Sequence, residues 1–190
     1  MIPRIPALLL SFAAPLTQAQ TSELYITQLD SDVVVVVQHG GVVRSWSALS
    51  PGENALAVEE SSIRTAGSYW FGSGAGAEYD PAGNPLGAVY EIVGGGNWFD
   101  GTTDGRHFSY AVQHNGDYNL YRFDRDWSNP RVVFAIGAYG SGVTRDTADE
   151  TFWVSNALTG VISHLDRDGV VLSSFDATDR AYAYGLAMDP

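Results

Sequence analysis

The stretch Val161-Ile162-Ser163-His164-Leu165-Asp166-Arg167-Asp168-Gly169-Val170-Val171-Leu172-Ser173-Ser174-Phe175 predicts a β-hairpin. Its two apolar runs flank Asp-Arg-Asp-Gly, in which aspartate hydrogen-bonds to the local backbone and glycine accepts a positive φ. The same turn position recurs at Gln38, Asp80 and Asp124, so successive turns lie 42, 44 and 42 residues apart. We infer that one hairpin-based unit is repeated along the chain.

The strand that follows each turn ends in an aromatic residue: Trp46, Tyr90, Phe134 and Phe175. Four short strands per unit of about 42 residues, with Gly-rich joints, are typical of a β-propeller blade. The sequence therefore predicts an all-β protein, a β-propeller of about four four-stranded blades or part of a larger ring. A β-sandwich is the alternative, because it also has many short strands, but it does not require this repeat.

The predicted blades cover residues 22–50, 51–94, 95–140 and 141–182. The first unit aligns with only the last three strands of the fourth, and residues 183–190 resemble the missing first strand. We expect residues 183–190 to close the ring against the first blade or to begin a following blade. Closure would remove open strand edges, which promote aggregation.

Four local expectations accompany this architecture. The valine run 33–37 does not alternate, which predicts a strand buried on both faces. Residues 86–92 are expected to form a strand, and residues 72–76 to pair irregularly because glycine weakens strands. Alternation over residues 118–123 places Tyr118, Leu120 and Arg122 on one face and Asn119, Tyr121 and Phe123 on the other.

The N-terminus resembles a secretory signal peptide. A charged start with Arg4, an apolar run and the small-residue end Thr17-Gln18-Ala19 predict a leader over residues 1–19 and a mature domain over residues 20–190. The apolar run is shorter than the roughly 20 residues of a membrane span, so we expect no span in the mature chain. The predicted location is secreted, periplasmic or at the surface of a bacterial cell.

The formal net charge is −12, and all ten basic residues are arginine. A chain this acidic repels phosphate backbones and anionic lipid surfaces, which argues against nucleic-acid binding. The sequence contains no cysteine, which excludes thiol nucleophiles, cysteine zinc sites and disulfides.

Phrases such as Tyr121-Arg122-Phe123-Asp124-Arg125-Asp126-Trp127-Ser128-Asn129-Pro130 and Tyr184-Gly185-Leu186-Ala187-Met188-Asp189-Pro190 resemble exported bacterial propeller proteins associated with PEP-CTERM sorting tails. The Pro-Glu-Pro motif of that tail does not occur in the printed sequence. The chain is more loosely similar to NHL and gluconolactonase-like propellers. The first resemblance implies export and surface or matrix association; the second implies a metal-dependent hydrolase or lactonase.

The acid pairs Asp124/Asp126 and Asp166/Asp168 have oxygen ligands of the kind that calcium prefers. They also occupy positions that a hairpin turn requires, and turn formation is the favoured interpretation. His39, His107, His114 and His164 show no metal-ligand spacing and are expected to be exposed or satisfied within the fold.

The glycine-rich run 72–76 lacks the following helix and the lysine of a phosphate loop, and Ser73 lacks the strand-to-helix elbow of a hydrolase nucleophile. Most of the Trp and Tyr residues lie at repeat positions and are expected to belong to the core. The alternative is that a subset, including Trp98 and Trp127, faces a carbohydrate and stacks on sugar rings. No catalytic, cofactor-binding or metal residue is assigned. The sequence favours a non-catalytic binding or scaffold propeller for extracellular carbohydrate or protein over a propeller hydrolase or lactonase.

Overall fold

The computed structural model describes residues 22–28, 31–70, 72, 74–87, 89–91, 97–113, 118–177 and 185–187. Every regular element in these residues is a β-strand, so the all-β prediction is confirmed. In chain order the strands are β1 (Leu24–Gln28), β2 (Val33–Gln38), β3 (Gly41–Ser47), β4 (Glu53–Val58), β5 (Ile63–Gly67), β6 (Ala75–Gly76), β7 (Glu78–Tyr79), β8 (Tyr90–Glu91), β9 (Trp98–Thr103), β10 (Phe108–Gln113), β11 (Asn119–Asp124), β12 (Arg131–Ala135), β13 (Gly140–Arg145), β14 (Phe152–Asn156), β15 (Val161–Leu165) and β16 (Val171–Asp176). The predicted leader 1–19 lies outside the described residues, so its cleavage stays a prediction.

The strands form antiparallel sheets that succeed one another along the chain, and we call them blades 1 to 4. Blade 1 contains β1 to β3, as the alignment of the first unit predicts. Blade 2 contains the sheet β4-β5-β7 and a separate β6-β8 pair, while blades 3 (β9 to β12) and 4 (β13 to β16) are complete four-stranded meanders. The first strands β4, β9 and β13 pack against one another in sequence, and β1 packs against β4. This serial arrangement around a shared inner row is that of a β-propeller, and the sandwich alternative is wrong.

The hairpin turns of blades 2, 3 and 4 have the same backbone hydrogen bonds. The N–H groups of Asp80, Asp124 and Asp166 each donate to the carbonyl four residues later, at 2.8 to 2.9 Å. Their own carbonyls each accept from the N–H three residues later, at 2.9 to 3.1 Å. The predicted equivalence of these three turns is therefore confirmed. Gln38 differs, because Gln38 pairs directly with Gly41 and leaves a two-residue turn whose residues both have positive φ.

The aromatic residue that ends an outer strand packs on the turn of the next blade. A Cβ added to Gly83 of blade 2 would lie 2.5 Å from the Trp46 ring of blade 1. A Cβ added to Gly169 of blade 4 would lie 2.6 Å from the Phe134 ring of blade 3. Both glycines also have positive φ, so these turns require glycine for backbone conformation and for the close approach of a ring. Trp46 and Phe134, two of the four repeated aromatic residues, are thus inter-blade contacts, whereas Phe175 is exposed.

Two apolar clusters lie between blades and account for the alternation over residues 118–123. Between blades 2 and 3, Trp98 packs edge-on against Phe123, with ring centroids 4.9 Å apart. Between blades 3 and 4, Leu120 joins a cluster with Phe134 and Phe152. Neighbouring residues of β11 therefore enter opposite clusters, as predicted. Blade 3 therefore buries its two faces against two different neighbours, blades 2 and 4.

Three local expectations have mixed outcomes. In β2, Val34 and Val36 are buried, but the residues on the other face of the strand are only half-buried. The prediction that both faces are buried is therefore wrong for one face. Pairing is irregular in the described part of residues 72–76, as predicted, since its one strand, Ala75–Gly76, pairs there with the two-residue strand Tyr90–Glu91. The expected strand over residues 86–92 is wrong in extent, because among its described residues only Tyr90–Glu91 is strand. Pro85 has no N–H with which to continue the ladder from its bridge to Tyr79.

Residues 185–187 lie beside the inner strand of blade 4. A Cβ added to Gly142 would lie 3.1 Å from the carbonyl carbon of Gly185. A further innermost strand would occupy this position, but residues 185–187 are not in strand conformation. The rest of the predicted closing strand 183–190 lies outside the described residues, so closure against blade 1 and the predicted blade boundaries stay predictions.

Candidate functional site

An axial cavity of about 800 Å³ lies where the inner strands meet. The inner strands β4, β9 and β13 contribute aliphatic and hydroxyl side chains, including Leu56, Val58, Thr102 and Thr144. Carboxylates of Glu60 and Asp146 also line the cavity, and residues 22–25 and 186–187 complete its wall. Its size suits a small ligand or a short chain segment. Its lining offers apolar contact beside hydrogen-bond donors and acceptors.

Glu59 lines the cavity but is engaged in a buried ion-pair network. Its carboxylate accepts hydrogen bonds from Arg64 at 2.5 Å, from Arg125 at 2.8 Å and from Thr103 at 3.1 Å. Burial alone would raise the pKa of Glu59, but the two guanidinium groups lower it below its ordinary value. The Arg64 side chain is almost completely buried. Because these partners come from blades 2 and 3, the network connects blades and leaves Glu59 little capacity for a ligand.

Asp100 on β9 is a carboxylate clamp at the junction of three inner segments. One oxygen accepts from the Gly101 N–H at 2.9 Å. The other accepts from Val143 N–H of blade 4 at 2.8 Å and from Leu186 N–H at 3.0 Å. Burial raises the pKa of Asp100 to about 7, and the three N–H donors offset only part of that effect. Both oxygens hold backbone, so we assign Asp100 a structural role.

Glu53 is a second buried carboxylate. It accepts hydrogen bonds from Thr65 at 2.7 Å, from Tyr79 at 2.9 Å and from the Ser50 N–H at 2.9 Å. Burial raises the pKa of Glu53, which these donors lower only in part. Glu53 fastens the inner strand of blade 2 to the outer part of the same blade.

A groove of about 500 Å³ opens between blades 3 and 4, and four arginines line it. Its floor is aromatic, and its acidic residues are Asp104, Glu150 and Asp168. The four arginines are Arg122, Arg131, Arg145 and Arg167. Such a concentration of guanidinium groups is unexpected in a chain whose net charge is −12.

The predicted acid pairs form turns. Asp166 accepts from the N–H groups of Asp168 and Val170 at 2.9 and 2.8 Å. Asp124 accepts from the Asn129 side chain at 2.6 Å, and Asp126 accepts from the Ser128 hydroxyl at 2.5 Å. The favoured turn interpretation is confirmed by these contacts. In the described part of the chain, no three His, Cys, Asp or Glu residues lie close enough to hold a metal ion.

The three described histidines are exposed or hydrogen-bonded, as predicted. His39 and His107 are exposed in turns. His164 stacks on Trp153, with ring centroids 4.3 Å apart, and its Nε2 is hydrogen-bonded to the Thr151 hydroxyl at 2.8 Å. His114 and Ser73 lie outside the described residues, so nothing is concluded about their surroundings.

The two tryptophans named as sugar-stacking candidates are buried. Trp98 and Trp127 are each 1% exposed and belong to the cluster between blades 2 and 3. The favoured core interpretation is confirmed for both residues, and the carbohydrate-facing alternative is wrong for them, because a ring enclosed by other side chains cannot stack on a ligand. The repeat position of an aromatic residue indicates core packing here.

Sequence reasoning missed Asp100 and the arginine groove. Asp100 carried one signal, since a carboxylate immediately before glycine in an inner strand is unusual among apolar neighbours. The groove carried almost none, because its arginines are distributed over residues 122–167. Only the packing of blade 3 against blade 4 brings them together.

Solved structures with the same architecture complete this description. A nidogen/laminin complex is similar with a TM-score of 0.64 and 14% identity, covering 88% of this chain and 66% of that chain. Virginiamycin B lyase from Staphylococcus aureus gives a TM-score of 0.55 at 14% identity, covering 86% of this chain and 55% of that one. Glutaminyl cyclase from Myxococcus xanthus gives 0.60 at 9% identity, covering 77% and 63%.

The chain is a β-propeller. It spans about 55% to 66% of the length of these similar chains. At such low identity the likeness concerns the fold alone. No protein-family model matches the sequence, and no curated protein matches it. Within the described residues of the propeller, no helix is long and apolar enough to cross a membrane.

Proposed function

We propose that this propeller is an exported, non-catalytic binding or scaffold module whose ligand site is the axial cavity. The carrying observation is the cavity of about 800 Å³, to which every described inner strand contributes. Concave sites of this size that combine apolar walls with a few polar groups are typical of ligand sites. Export is proposed from the leader sequence, and surface or matrix association from the resemblance to PEP-CTERM-associated propellers.

The chemistry of the cavity favours a neutral carbohydrate as its ligand. Aliphatic side chains such as Leu56 and Val58 can contact the C–H faces of a sugar. Carboxylates of Glu60 and Asp146 can accept hydrogen bonds from sugar hydroxyls, which are charge-assisted and therefore strong. An extracellular protein segment is the second ligand class; a nidogen/laminin complex has this fold, which supports a protein as partner.

The test uses Val58→Arg, which places a long charged side chain at a half-exposed cavity position. Val42→Arg on β3 is the matched control, since Val42 is 67% exposed and does not line the cavity. We expect a neutral-glycan array to give a signal with the wild type and the control but not with Val58→Arg. Unchanged glycan binding by Val58→Arg would place the ligand elsewhere. Hydrolysis of a sugar lactone by the pure protein would overturn the non-catalytic assignment.

A further inference from the structure

We propose that the groove between blades 3 and 4 is a second ligand site, which binds a small dicarboxylate. The inference goes beyond the proposed function, because the groove and the axial cavity are lined by different residues except for Arg145. The ligand chemistry is two carboxylates held a few ångströms apart. They belong either to a free dicarboxylic acid or to neighbouring uronate units of a saccharide.

The first observation is a pair of like charges placed directly opposite each other. Arg122 on β11 and Arg131 on β12 are cross-strand partners, and both line the groove. Like charges in this arrangement destabilise a sheet. Within the described chain neither guanidinium group forms an ion pair with an acidic residue. An anion between the two groups would remove their repulsion.

The second observation is the charge balance of the other groove residues. The carboxylate of Asp104 accepts three backbone N–H groups at 2.8 to 2.9 Å. Burial alone would raise the pKa of Asp104, but these donors and the nearby Arg145 lower it, so the carboxylate is ionised. Glu150 lies 3.8 Å from Arg145, and Asp168 lies 4.0 Å from Arg167. With all three carboxylates ionised, the four arginines leave the groove lining a net charge of +1. Arg122 and Arg131 are the two groove arginines without a carboxylate partner in the described structure, so each can take one carboxylate of the ligand.

The third observation is an unsatisfied, enclosed donor in Arg145, an arginine that lines the groove. The Arg145 side chain is only 10% exposed, and its buried Nε has no hydrogen-bond partner in the described structure. Leaving such a donor without an acceptor is unfavourable. The Arg145 guanidinium lies 5.6 Å from the centre of the Tyr110 ring, on the aromatic floor. Because Nε has almost no accessible surface, a ligand oxygen would supply its acceptor only through a shift of the Arg145 side chain on binding.

The fourth observation fits carboxylate geometry. The Arg122 guanidinium carbon lies 4.3 Å from the centre of the Phe108 ring, over its face, and this cation–π contact favours one position of the group. Guanidinium groups bind carboxylates through two parallel N–H···O bonds. A volume of about 500 Å³ accommodates a ligand of about the size of a disaccharide or a small dicarboxylic acid.

The experiment measures the binding of succinate, glutarate and digalacturonate by calorimetry and by the shift in melting temperature at low salt. We expect at least one of them to bind, with an affinity that falls as salt is added. Arg131→Gln and Arg122→Gln should each weaken binding about ten- to a hundredfold, since charge-assisted hydrogen bonds are lost. Arg106→Gln removes the same charge from an exposed residue outside the groove lining and should leave binding unchanged.

The free variants separate a binding role from a structural one. Because each substitution removes a repulsive pair, the melting temperature of free Arg131→Gln should equal or exceed that of the wild type. A lowered melting temperature together with unchanged ligand affinity would overturn the proposal. Binding of succinate or glutarate but not of digalacturonate would indicate a free dicarboxylic acid as the ligand. Binding of digalacturonate alone would indicate a saccharide. Binding of inorganic phosphate alone, or an equal loss of affinity in Arg106→Gln, would also overturn it.

Discussion

Asp100 should make the stability of the propeller fall as pH rises from about 4.5 to 7.5. Its pKa is about 7 in the folded protein, where its carboxylate is buried among the inner segments. In the unfolded chain the same group has the ordinary value of 3.8. Between these values the folded state binds more protons than the unfolded state, so stability decreases with increasing pH. Asp100→Asn removes this titration.

The difference between the folded and unfolded pKa values of Asp100 sets the size of the change in stability with pH. A group whose pKa moves from 3.8 to about 7 costs roughly 3 kcal/mol more at pH 7.5 than at pH 4.5. Asp100 keeps some accessible surface, and solvent screening reduces this upper limit to about 2 kcal/mol. The loss of one acceptor for Val143 or Leu186 is a separate cost of Asp100→Asn that is the same at both pH values. The predicted quantity is therefore the change, with pH, in the difference between variant and wild type.

Urea unfolding followed by tryptophan fluorescence measures this quantity, because Trp98 and Trp127 are buried reporters. The measured quantity is the free energy of unfolding of Asp100→Asn minus that of the wild type. We expect this difference to be about 2 kcal/mol larger at pH 7.5 than at pH 4.5. Asp80→Asn is the control: hydrogen bonds from Asn84 lower the pKa of Asp80, so it is ionised throughout this range in both states. Its effect should not depend on pH. The same difference at both pH values for Asp100→Asn, within about 0.5 kcal/mol, would refute the reasoning.

The remaining predictions concern packing and turns. Gly169→Ala should lower the free energy of unfolding by about 2–4 kcal/mol, because it adds a clash with an aromatic ring to an unfavourable φ. Gly40→Ala has nothing within 4 Å of its Cβ and should lower it by about 1 kcal/mol. Equal losses in urea unfolding would contradict the inter-blade contact. Phe123→Ala should cost about 3–5 kcal/mol, and exposed Phe175→Ala far less; calorimetric melting distinguishes them. Asp166→Ala should cost about 1 kcal/mol with no dependence on calcium, and a melting temperature that calcium raises only in the wild type would indicate metal binding.

The turns show which parts of the fold neighbouring residues in the sequence can predict. Asp80, Asp124 and Asp166 form equivalent turns because the required interactions are between residues at most four apart. Gln38 at the same repeat position does not, since its turn contains only two residues. The alternation of β11 was equally predictable, because side-chain direction alternates along any strand. The extent of the strand near residue 90 was not, because it depends on a partner strand that itself is only two residues long.

The sequence by itself determined the repeat, most of the strands, the three aspartate turns and the propeller architecture, since these follow from local backbone preferences and from the spacing of apolar residues. Only the tertiary structure decided what each polar or aromatic side chain does. Trp98 became core, Asp100 became a clamp, and Arg122 and Arg131 became neighbours across a groove. Burial and charge are properties of the surroundings, which blades distant in sequence create when they pack together.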